Sequence, residues 1–303
     1  MYHNFNEILE SAKSRGNYLI SVAVAQDKDV LEAIDAARRA KLASAILVGD
    51  AIRIGSILKN MGINAGYEIV DEPDDEKAAL KAVSLVKKGE AHILMKGLIN
   101  SSTFLKAVLN KEEGLRTGRL LSHLGVFEIP GWDRLLYLTD GGINIAPNIN
   151  EKKDILVNAL LTLNAMGLDN PHVAVLTANE QVNSKMPATV DAKELSEMSK
   201  RGELPKGIVE GPIALDVAVS QDAAHHKGID SKISGKADLF LLPNIETGNA
   251  FGKALIYFAK AKMAGLVLGA TNPIVLTSRA ENAEGKLNSI ALACLAYEKP
   301  SHS

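Results

Sequence analysis

The chain has 303 residues, a formal net charge of −2, and 47% hydrophobic but only 4% aromatic residues. The near-zero charge gives no electrostatic basis for binding nucleic acid or an anionic membrane surface. The single cysteine, Cys294, cannot form an intramolecular disulfide, and no apolar stretch reaches the length of a membrane span. We therefore expect a cytoplasmic protein with an aliphatic core of helices packed on sheets.

Strands and helices alternate in the first third of the chain. Residues 28–41, for example, carry Val30, Leu31, Ile34 and Ala37 at helical spacing. Predicted strands lie at 18–24, 45–48, 67–70 and 91–95, and predicted helices at 28–41, 51–61, 74–89 and through 107–109. This alternation predicts right-handed βαβ units and a parallel sheet.

The pattern changes in the middle of the chain. Two apolar runs, 123–129 and 134–139, are separated by Pro130-Gly131-Trp132-Asp133, which is turn chemistry and predicts a hairpin or an antiparallel addition to the sheet. Asp140-Gly141-Gly142 then breaks the pattern. We place a domain crossing there.

A second alternating series follows. Predicted helices lie at 151–167, 191–201, 213–223 and 248–263, and predicted strands at 172–177, 207–210, 238–242 and 265–269. The loop 178–190 has little apolar periodicity and is a candidate cleft rim. Two α/β series need two cores. A strand at 274–276 and a helix at 281–297 end the chain; they could belong to either domain, and their chemistry suggests that they return to the first.

Several catalytic and metal motifs were tested. No G-x-G-x-x-G follows a predicted strand, no G-x-S-x-G is present, and Gly248–Lys253 lacks the spacing of a phosphate loop. The neighbours His225 and His226 point in different directions, so we expect no metal there. Cys294 lies on the apolar face of the last helix, which favours a core residue over a nucleophile.

Polar residues next to glycine recur at predicted strand ends. These are Lys96-Gly97, the basic stretch from Arg116 to Arg119, Asn244 with Thr247-Gly248-Asn249, and Thr277-Ser278-Arg279. Each has a structural explanation: Gly97 is a turn, Thr247 caps one helix, Thr277 or Ser278 caps another, and the arginines form a solvated edge. Together they predict one cleft in which basic side chains and N–H donors bind phosphate and a polyanionic cofactor.

Seven ordered stretches of the sequence carry a resemblance to a known family. They are ILMKGLINSSTFLKAVLN (93–110), GLRTGRLLSH (114–123), DGGINIAPN (140–148), NPHVAVLTANEQVNSKMPAT (170–189), VEGPIALDVAVS (209–220), ADLFLLPNIETGNAFGKAL (237–255) and NPIVLTSRAENAEGKL (272–287). Through them the chain resembles the phosphate acetyl/butyryl transferase family along nearly its whole length. The stretches LMKG, GLRTGRLLSH and VLTANEQVNSKMPAT look more like the butyryl branch than the acetyl branch.

The resemblance implies a fold shared with isocitrate and isopropylmalate dehydrogenases. That fold has two three-layer α/β domains with mainly parallel sheets and an interdomain cleft. Domain I would be discontinuous, comprising 1–139 plus 271–303, and domain II would comprise 140–270. The resemblance also implies a homodimer, coenzyme A as substrate or product, and no tightly bound cofactor.

The activity implied by the resemblance converts butanoyl-CoA and phosphate into butanoyl phosphate and CoA, by direct attack in a ternary complex. Arg279 matches the family's phosphate-contacting arginine, and Ser278 matches the serine that hydrogen bonds at the leaving sulfur or the tetrahedral intermediate. Asn244 and Thr247-Gly248-Asn249 match a strand-end loop on the phosphate side. Lys96 and Gly97 fall where the acetyl branch has its serine-glycine phosphate loop, so Lys96 is a departure with a basic role.

A second departure concerns the general base. The acetyl branch has an aspartate seven residues after its serine, and this chain has Gly285 there, with Glu284 beside it and Glu281 one turn before. Thiol attack in the reverse direction needs deprotonation of a group with a pKa of about 8.5. The hypothesis is that Glu284, or no single carboxylate, acts as the base.

Three other activities remain open at this point. They are a phosphate acetyltransferase or broad short-chain acyltransferase, an inactive CoA-binding regulatory protein, and a fold-related oxidative decarboxylase. The last is disfavoured because the sequence has no obvious aspartate cluster for a metal.

Overall fold

The computed structural model describes residues 1–64, 66–277 and 281–298. Within this part of the chain the structure is a mixed α/β fold with mainly parallel strand pairing. No helix among the described residues combines the length and apolarity that crossing a membrane requires.

The described residues form helices and strands in the following order. They are α1 (Phe5–Arg15), β1 (Tyr18–Ala23), α2 (Lys28–Arg39), β2 (Ala43–Gly49), α3 (Ala51–Asn60), β3 (Glu68–Asp71), α4 (Asp75–Lys87), β4 (Ile93–Lys96), α5 (Ser101–Val108), β5 (Ser122–Glu128), β6 (Leu136–Thr139), α6 (Ile149–Ala165), β7 (His172–Leu176), α7 (Pro187–Lys200), β8 (Ile208–Ile213), α8 (Leu215–Val219), α9 (Gln221–His226), β9 (Leu239–Leu241), α10 (Ile245–Tyr257), β10 (Lys262–Leu268), β11 (Ile274–Val275) and α11 (Ala283–Ala296).

The chain divides into two compact units. The N/C unit contains Phe5–Arg119 and Ala264–Ser303, and the middle unit contains Met1–Asn4 and Leu120–Met263. The sequence prediction placed the crossings at 139/140 and 270/271, whereas the units change over at 119/120 and 263/264. The hairpin of β5 and β6 lies in the middle unit because β6 pairs with β9.

In the N/C unit the strands lie in the order β3-β2-β1-β4-β11-β10. All pairs are parallel except β10 with β11. Aspartates begin three of the helices: Asp27, Asp50 and Asp74 each accept a hydrogen bond from a backbone N–H three residues on. The last helix, α11, packs against α1 and α2 and contributes ten buried residues to this core.

In the middle unit the strands lie in the order β5-β6-β9-β7-β8. The predicted hairpin is confirmed, because β5 and β6 are antiparallel with Val126 opposite Tyr137. The other pairs are parallel. Side chains from β5, β6, β7 and β9, including Phe127 and Phe240, form an apolar core with residues of α8 and α10.

Four sequence predictions of the elements were wrong in detail. The loop 178–190 ends earlier than predicted because Pro187 is the first residue of α7, where its missing N–H costs nothing. The helix predicted at 213–223 is two helices, since Ser220 is extended and caps α9. The strand predicted at 207–210 continues to Ile213, and the helix predicted at 248–263 already ends at Tyr257.

Candidate functional site

The carboxyl ends of β1, β4 and β11 lie side by side in the N/C unit. Ala23 is the register partner of Lys96, and Val275 is the partner of Met95. Gly97 directly follows β4, and Thr277 lies two residues past the end of β11. The loops after parallel strands at this edge are where open α/β sheets bind ligands. The structure thus brings three of the predicted residues, Lys96, Gly97 and Thr277, to one edge.

The turn at Gly97 lies directly on the backbone that follows β1. Its N–H donates to the Ala23 carbonyl at 2.8 Å, and the next N–H, of Leu98, donates to the Val24 carbonyl at 2.7 Å. A Cβ atom at residue 97 would lie 2.7 Å from the Ala23 carbonyl oxygen and closer still to that of Val24. Only glycine fits here, so the turn is fixed tightly to the sheet.

Lys96 is buried, with 6% of its surface exposed. Its Nζ donates to the carbonyl oxygens of Ile99 at 2.8 Å and Gly97 at 3.2 Å. A buried ammonium group needs such acceptors because burial removes its water. Lys96 therefore holds the turn from Gly97 to Ile99 in shape before α5 begins.

The connection from β11 to α11 carries the residues with the strongest predicted roles. Thr277 is buried at the start of the connection. Ser278 and Arg279 lie outside the described residues. Asn282 caps α11, and its Oδ1 accepts a hydrogen bond from the Gly285 N–H at 2.9 Å.

Two glutamates flank the first turn of α11. Glu284 is exposed to solvent. Glu281 instead turns its carboxyl group over Gly285: a Cβ atom at residue 285 would lie 2.7 Å from both Cγ and Oε1 of Glu281. Nζ of the buried Lys286 contacts the backbone carbonyl of Glu281.

The basic stretch after α5 is fastened to the segment between β10 and β11. Arg116 forms an antiparallel bridge with Ala270, and the Thr271 N–H donates to the Leu115 carbonyl at 2.9 Å. The Thr117 hydroxyl donates to the Gly269 carbonyl at 2.5 Å. Arg116 is exposed, and Arg119 is half-buried two residues past Thr117. These contacts fix the backbone that carries both arginines.

In the middle unit, the predicted residues after β9 form the start of α10. Asn244 is the N-cap, and its Oδ1 accepts hydrogen bonds from both the N–H and the hydroxyl of Thr247, at 2.9 and 2.7 Å. The structural alternative of a Thr247 cap was therefore wrong, because Asn244 caps the helix. Nδ2 of Asn249 lies 3.5 Å from the Gly141 carbonyl oxygen.

Gly248 allows α10 to touch the loop that follows β6. A Cβ atom at residue 248 would lie 2.5 Å from Cα of Gly141 and 2.8 Å from the Asp140 carbonyl oxygen. A Cβ atom at Gly141 would in turn lie 2.9 Å from the backbone of Gly248. The two glycines make this close contact between backbones possible.

A polar cluster on the same loop was missed as a candidate site. The Asp140 carboxylate is buried and accepts hydrogen bonds from the backbone N–H groups of Gly142, Ile143 and Asn144, and from Nδ2 of Asn144 at 2.6 Å. Nδ2 of Asn144 also donates to the Leu121 carbonyl. The signal in the sequence was an aspartate followed by two glycines at the end of a strand.

His123 of β5 completes this cluster. Atoms of its ring and Cβ lie 3.1–3.4 Å from the place of a Cβ atom on Gly142. Desolvation by the surrounding protein lowers the pKa of His123, and the nearby Asp140 charge opposes that shift only in part. The imidazole is therefore neutral near pH 7, where it can either donate or accept a hydrogen bond.

The histidine pair and the single cysteine, which the sequence disfavoured as sites, are the last residues to consider. The rings of His225 and His226 are 6.3 Å apart, and among the described residues no three His, Cys, Asp or Glu side chains are grouped to hold a metal ion. Cys294 is fully buried in α11, and burial raises the pKa of its thiol. This environment confirms Cys294 as a core residue.

Comparison with known proteins adds three findings. The Phosphate acetyl/butaryl transferase family profile matches residues 67–294. The chain is 51% identical to a phosphate butyryltransferase of Clostridium acetobutylicum, over 97% of this chain and 98% of that one, and 42% identical to a phosphate acetyltransferase of Thermotoga maritima, over 95% and 98%. The crystal structure of a branched-chain phosphotransacylase from Enterococcus faecalis V583 superposes with a TM-score of 0.80 at 32% identity, covering 92% of this chain and 98% of that one.

Proposed function

Since the chain belongs to the phosphate acetyl/butyryl transferase family, we propose that it is an acyltransferase that converts butanoyl-CoA and phosphate into butanoyl phosphate and CoA. One observation carries the choice of acyl group. It is the 51% identity, over nearly the full length of both chains, to a relative named phosphate butyryltransferase. The predicted family resemblance is thereby confirmed.

The proposed reaction is a direct transfer in a ternary complex. An oxygen of phosphate attacks the thioester carbonyl carbon, a C–O bond forms, and the C–S bond breaks with its electron pair on the CoA sulfur. Arg279 would orient the phosphate and offset the charge repulsion between phosphate and carbonyl oxygen. Ser278 would donate a hydrogen bond at the leaving sulfur or the tetrahedral oxyanion.

The described residues support this proposal at the strand ends of the N/C unit. Gly97 brings the turn after β4 against β1, and β11, which Thr277 follows by two residues, pairs in parallel with β4. Lys96 braces that turn through its carbonyl groups. We propose that Lys96 contributes to phosphate binding indirectly, because it holds the turn in shape and adds positive charge to it.

The residues at the start of α10 have a parallel role in the proposal. Asn244 caps the first turn of α10 by accepting hydrogen bonds from Thr247, and this turn lies at the positive end of the helix dipole. Gly248 and Asn249 are the residues of that turn that approach the loop after β6. We propose that this turn contributes to binding of the phosphate or CoA.

The test is release of free thiol from an acyl-CoA panel, with and without phosphate. The panel holds acetyl-, propionyl-, butyryl- and isobutyryl-CoA. We expect phosphate-dependent release with the highest kcat/KM on butyryl-CoA. Arg279→Ala should lose most of this activity, and Arg53→Ala, which removes an exposed arginine of α3, should not. Undiminished activity of Arg279→Ala would contradict the site.

Two other acyl specificities have specific support. The Thermotoga maritima relative is named a phosphate acetyltransferase, and the Enterococcus faecalis structure is titled a branched-chain phosphotransacylase. The same panel separates these substrates. A regulatory protein that only binds CoA would release no thiol at any phosphate concentration.

We further propose that the protein works in the cytoplasm as a homodimer, with no tightly bound cofactor. A single peak of twice the chain mass in light scattering supports the dimer. A monomer peak with full activity would contradict it.

A further inference from the structure

One side of α10 packs on the core of the middle unit, and the other side is open to solvent. Gly252 is buried, and Phe251 and Leu255 pack against the apolar core. The residues directly opposite are all exposed: Glu246, Ala250, Lys253 and Tyr257. Their spacing of four, three and four residues makes a straight stripe along the helix, which we call the outer stripe. One helix packs against another with this spacing.

Large apolar side chains are exposed at both ends of the outer stripe. At the C-terminal end, Tyr257 is 66% exposed and the next residue, Phe258, is 87% exposed. At the N-terminal end lies Ile145, which is 69% exposed and whose carbonyl oxygen accepts a hydrogen bond from the Ile245 N–H at 2.9 Å. Exposed aromatic and aliphatic side chains of this size are typical of surfaces that bind another protein.

The charges of the outer stripe are arranged almost symmetrically about its centre. Glu246 lies four residues before Ala250, and Lys253 lies three residues after it. Within one copy the two charges are separated by about 10 Å along the helix axis, which is too far for an ion pair. In two antiparallel α10 helices related by a two-fold axis near Ala250, each Glu246 lies opposite Lys253 of the other copy. The small side chain of Ala250 lets the two helices approach closely at the axis.

The same two-fold rotation matches the apolar ends. In an antiparallel pair, the C-terminal end of one helix lies beside the N-terminal end of the other, so Tyr257 and Phe258 of one copy lie beside Ile145 of the other. The opposite ends of the two helix dipoles are then adjacent, which is favourable. A single operation thus pairs opposite charges and covers the apolar side chains. Such self-complementarity is a requirement for binding a second copy of the same chain and for no other partner.

We propose that the outer stripe of α10 forms the two-fold contact between two copies of this chain. The inference rests on the homodimer of the proposed function and deepens it, because it names the surface and the pairs of residues that meet there. Ala250 lies at the axis, the two Glu246–Lys253 pairs flank it, and the aromatic residues at 257 and 258 close the interface at each end.

The first experiment reverses the charges and measures the dimer dissociation constant by sedimentation over a dilution series. Glu246→Lys and Lys253→Glu should each raise this constant about 10–100-fold, because each change places two like-charged pairs at the interface. The double variant Glu246→Lys with Lys253→Glu restores opposite charges and should dimerise like the wild type. This rescue also shows that the single variants do not act by misfolding.

The control for the charge reversals is Lys193→Glu. Lys193 is an exposed lysine of α7, a helix that packs against β7, β8 and α6. Reversing its charge should leave the dissociation constant unchanged.

The second experiment tests the position of the axis by cross-linking. Ala250→Cys places two thiols near the axis, and a short bismaleimide should join them into a covalent dimer. The native Cys294 is fully buried, so it gives no competing reaction. The control Glu194→Cys carries an exposed thiol on α7 and should give no covalent dimer.

The outcomes separate this inference from the proposals on which it rests. A wild-type dimer that both single reversals leave unchanged, or that Ala250→Cys fails to cross-link, would overturn the α10 contact while the homodimer stands. A wild type that is monomeric throughout the dilution series would overturn the homodimer as well, and the outer stripe would then belong to a different partner. Neither result bears on acyl transfer, which the phosphate-dependent release of thiol tests by itself.

Discussion

The turn at Gly97 offers a direct test of how the strand-end site is built. In Gly97→Ala the new methyl group would lie 2.7 Å from the Ala23 carbonyl oxygen and closer to that of Val24, whereas Cβ atoms in proteins essentially never come within 3.0 Å of such atoms. Both obstacles are backbone, so rotation of a side chain cannot relieve them. The turn must move away from β1.

The size of the effect follows from two contributions. Overpacking of a tight site costs about 1–3 kcal/mol. Moving the turn also weakens the hydrogen bonds of Gly97 to Ala23 and Leu98 to Val24, each worth about 1 kcal/mol. Together we expect a loss of about 3–5 kcal/mol in unfolding free energy, or roughly 6–20 °C in melting temperature.

Thermal unfolding and phosphate-dependent thiol release should be measured on the same samples. Gly55→Ala is the matched control, because Gly55 lies inside α3 with no atom within 4 Å of the added Cβ. Alanine there should stabilise the protein by about 0.5–1 kcal/mol. If Gly97→Ala melts and turns over like Gly55→Ala, the tight contact between the turn and β1 does not exist in solution.

Two further predictions concern the loop after β6. Asp140→Ala leaves without an acceptor the N–H groups that donate to the carboxylate, so urea titration should show a loss of about 2–4 kcal/mol in the free energy of unfolding. The control Asp169→Ala removes an exposed carboxylate and should show no such loss. The second prediction concerns His123, whose pKa is lower in the folded protein than in the unfolded chain. As the pH falls through about 6.5, His123 therefore binds a proton more readily in the unfolded chain, and the free energy of unfolding decreases. His123→Asn should therefore lose less stability than wild type between about pH 7.5 and 5.5 in urea titrations, and an identical loss would refute the role of His123.

The order of strands and helices in this chain follows closely from its apolar periodicity. Runs such as 93–96 are short, aliphatic and followed by glycine, so both the strand and its end can be read directly. The place of Lys96-Gly97 and Thr277 at strand ends is a property of local sequence. Which of these residues become neighbours depends on the order of the strands in the sheet, and apolar periodicity does not specify that order.

Other features depend on long-range contacts or on the direction of a side chain. α1 was not predicted, although its signal is present in Phe5, Ile8 and Ala12, which are buried along one face. The close approach of Gly141 and Gly248 joins residues more than 100 positions apart. The overlap of Glu281 with Gly285 requires the chain direction before α11, which residue types do not specify.

The discontinuity of the N/C unit has a consequence for synthesis on the ribosome. β11 lies between β4 and β10, and α11 covers α1 and α2, yet both come from the end of the chain. The 144 residues from 120 to 263 must first be translated, which takes roughly 7–30 s at 5–20 residues per second. During that interval the edge of β4 is an open template for pairing and the apolar faces of α1 and α2 are uncovered. We therefore expect a chaperone to bind the nascent N-terminal segment during this interval, because its strand edge and apolar faces are exposed.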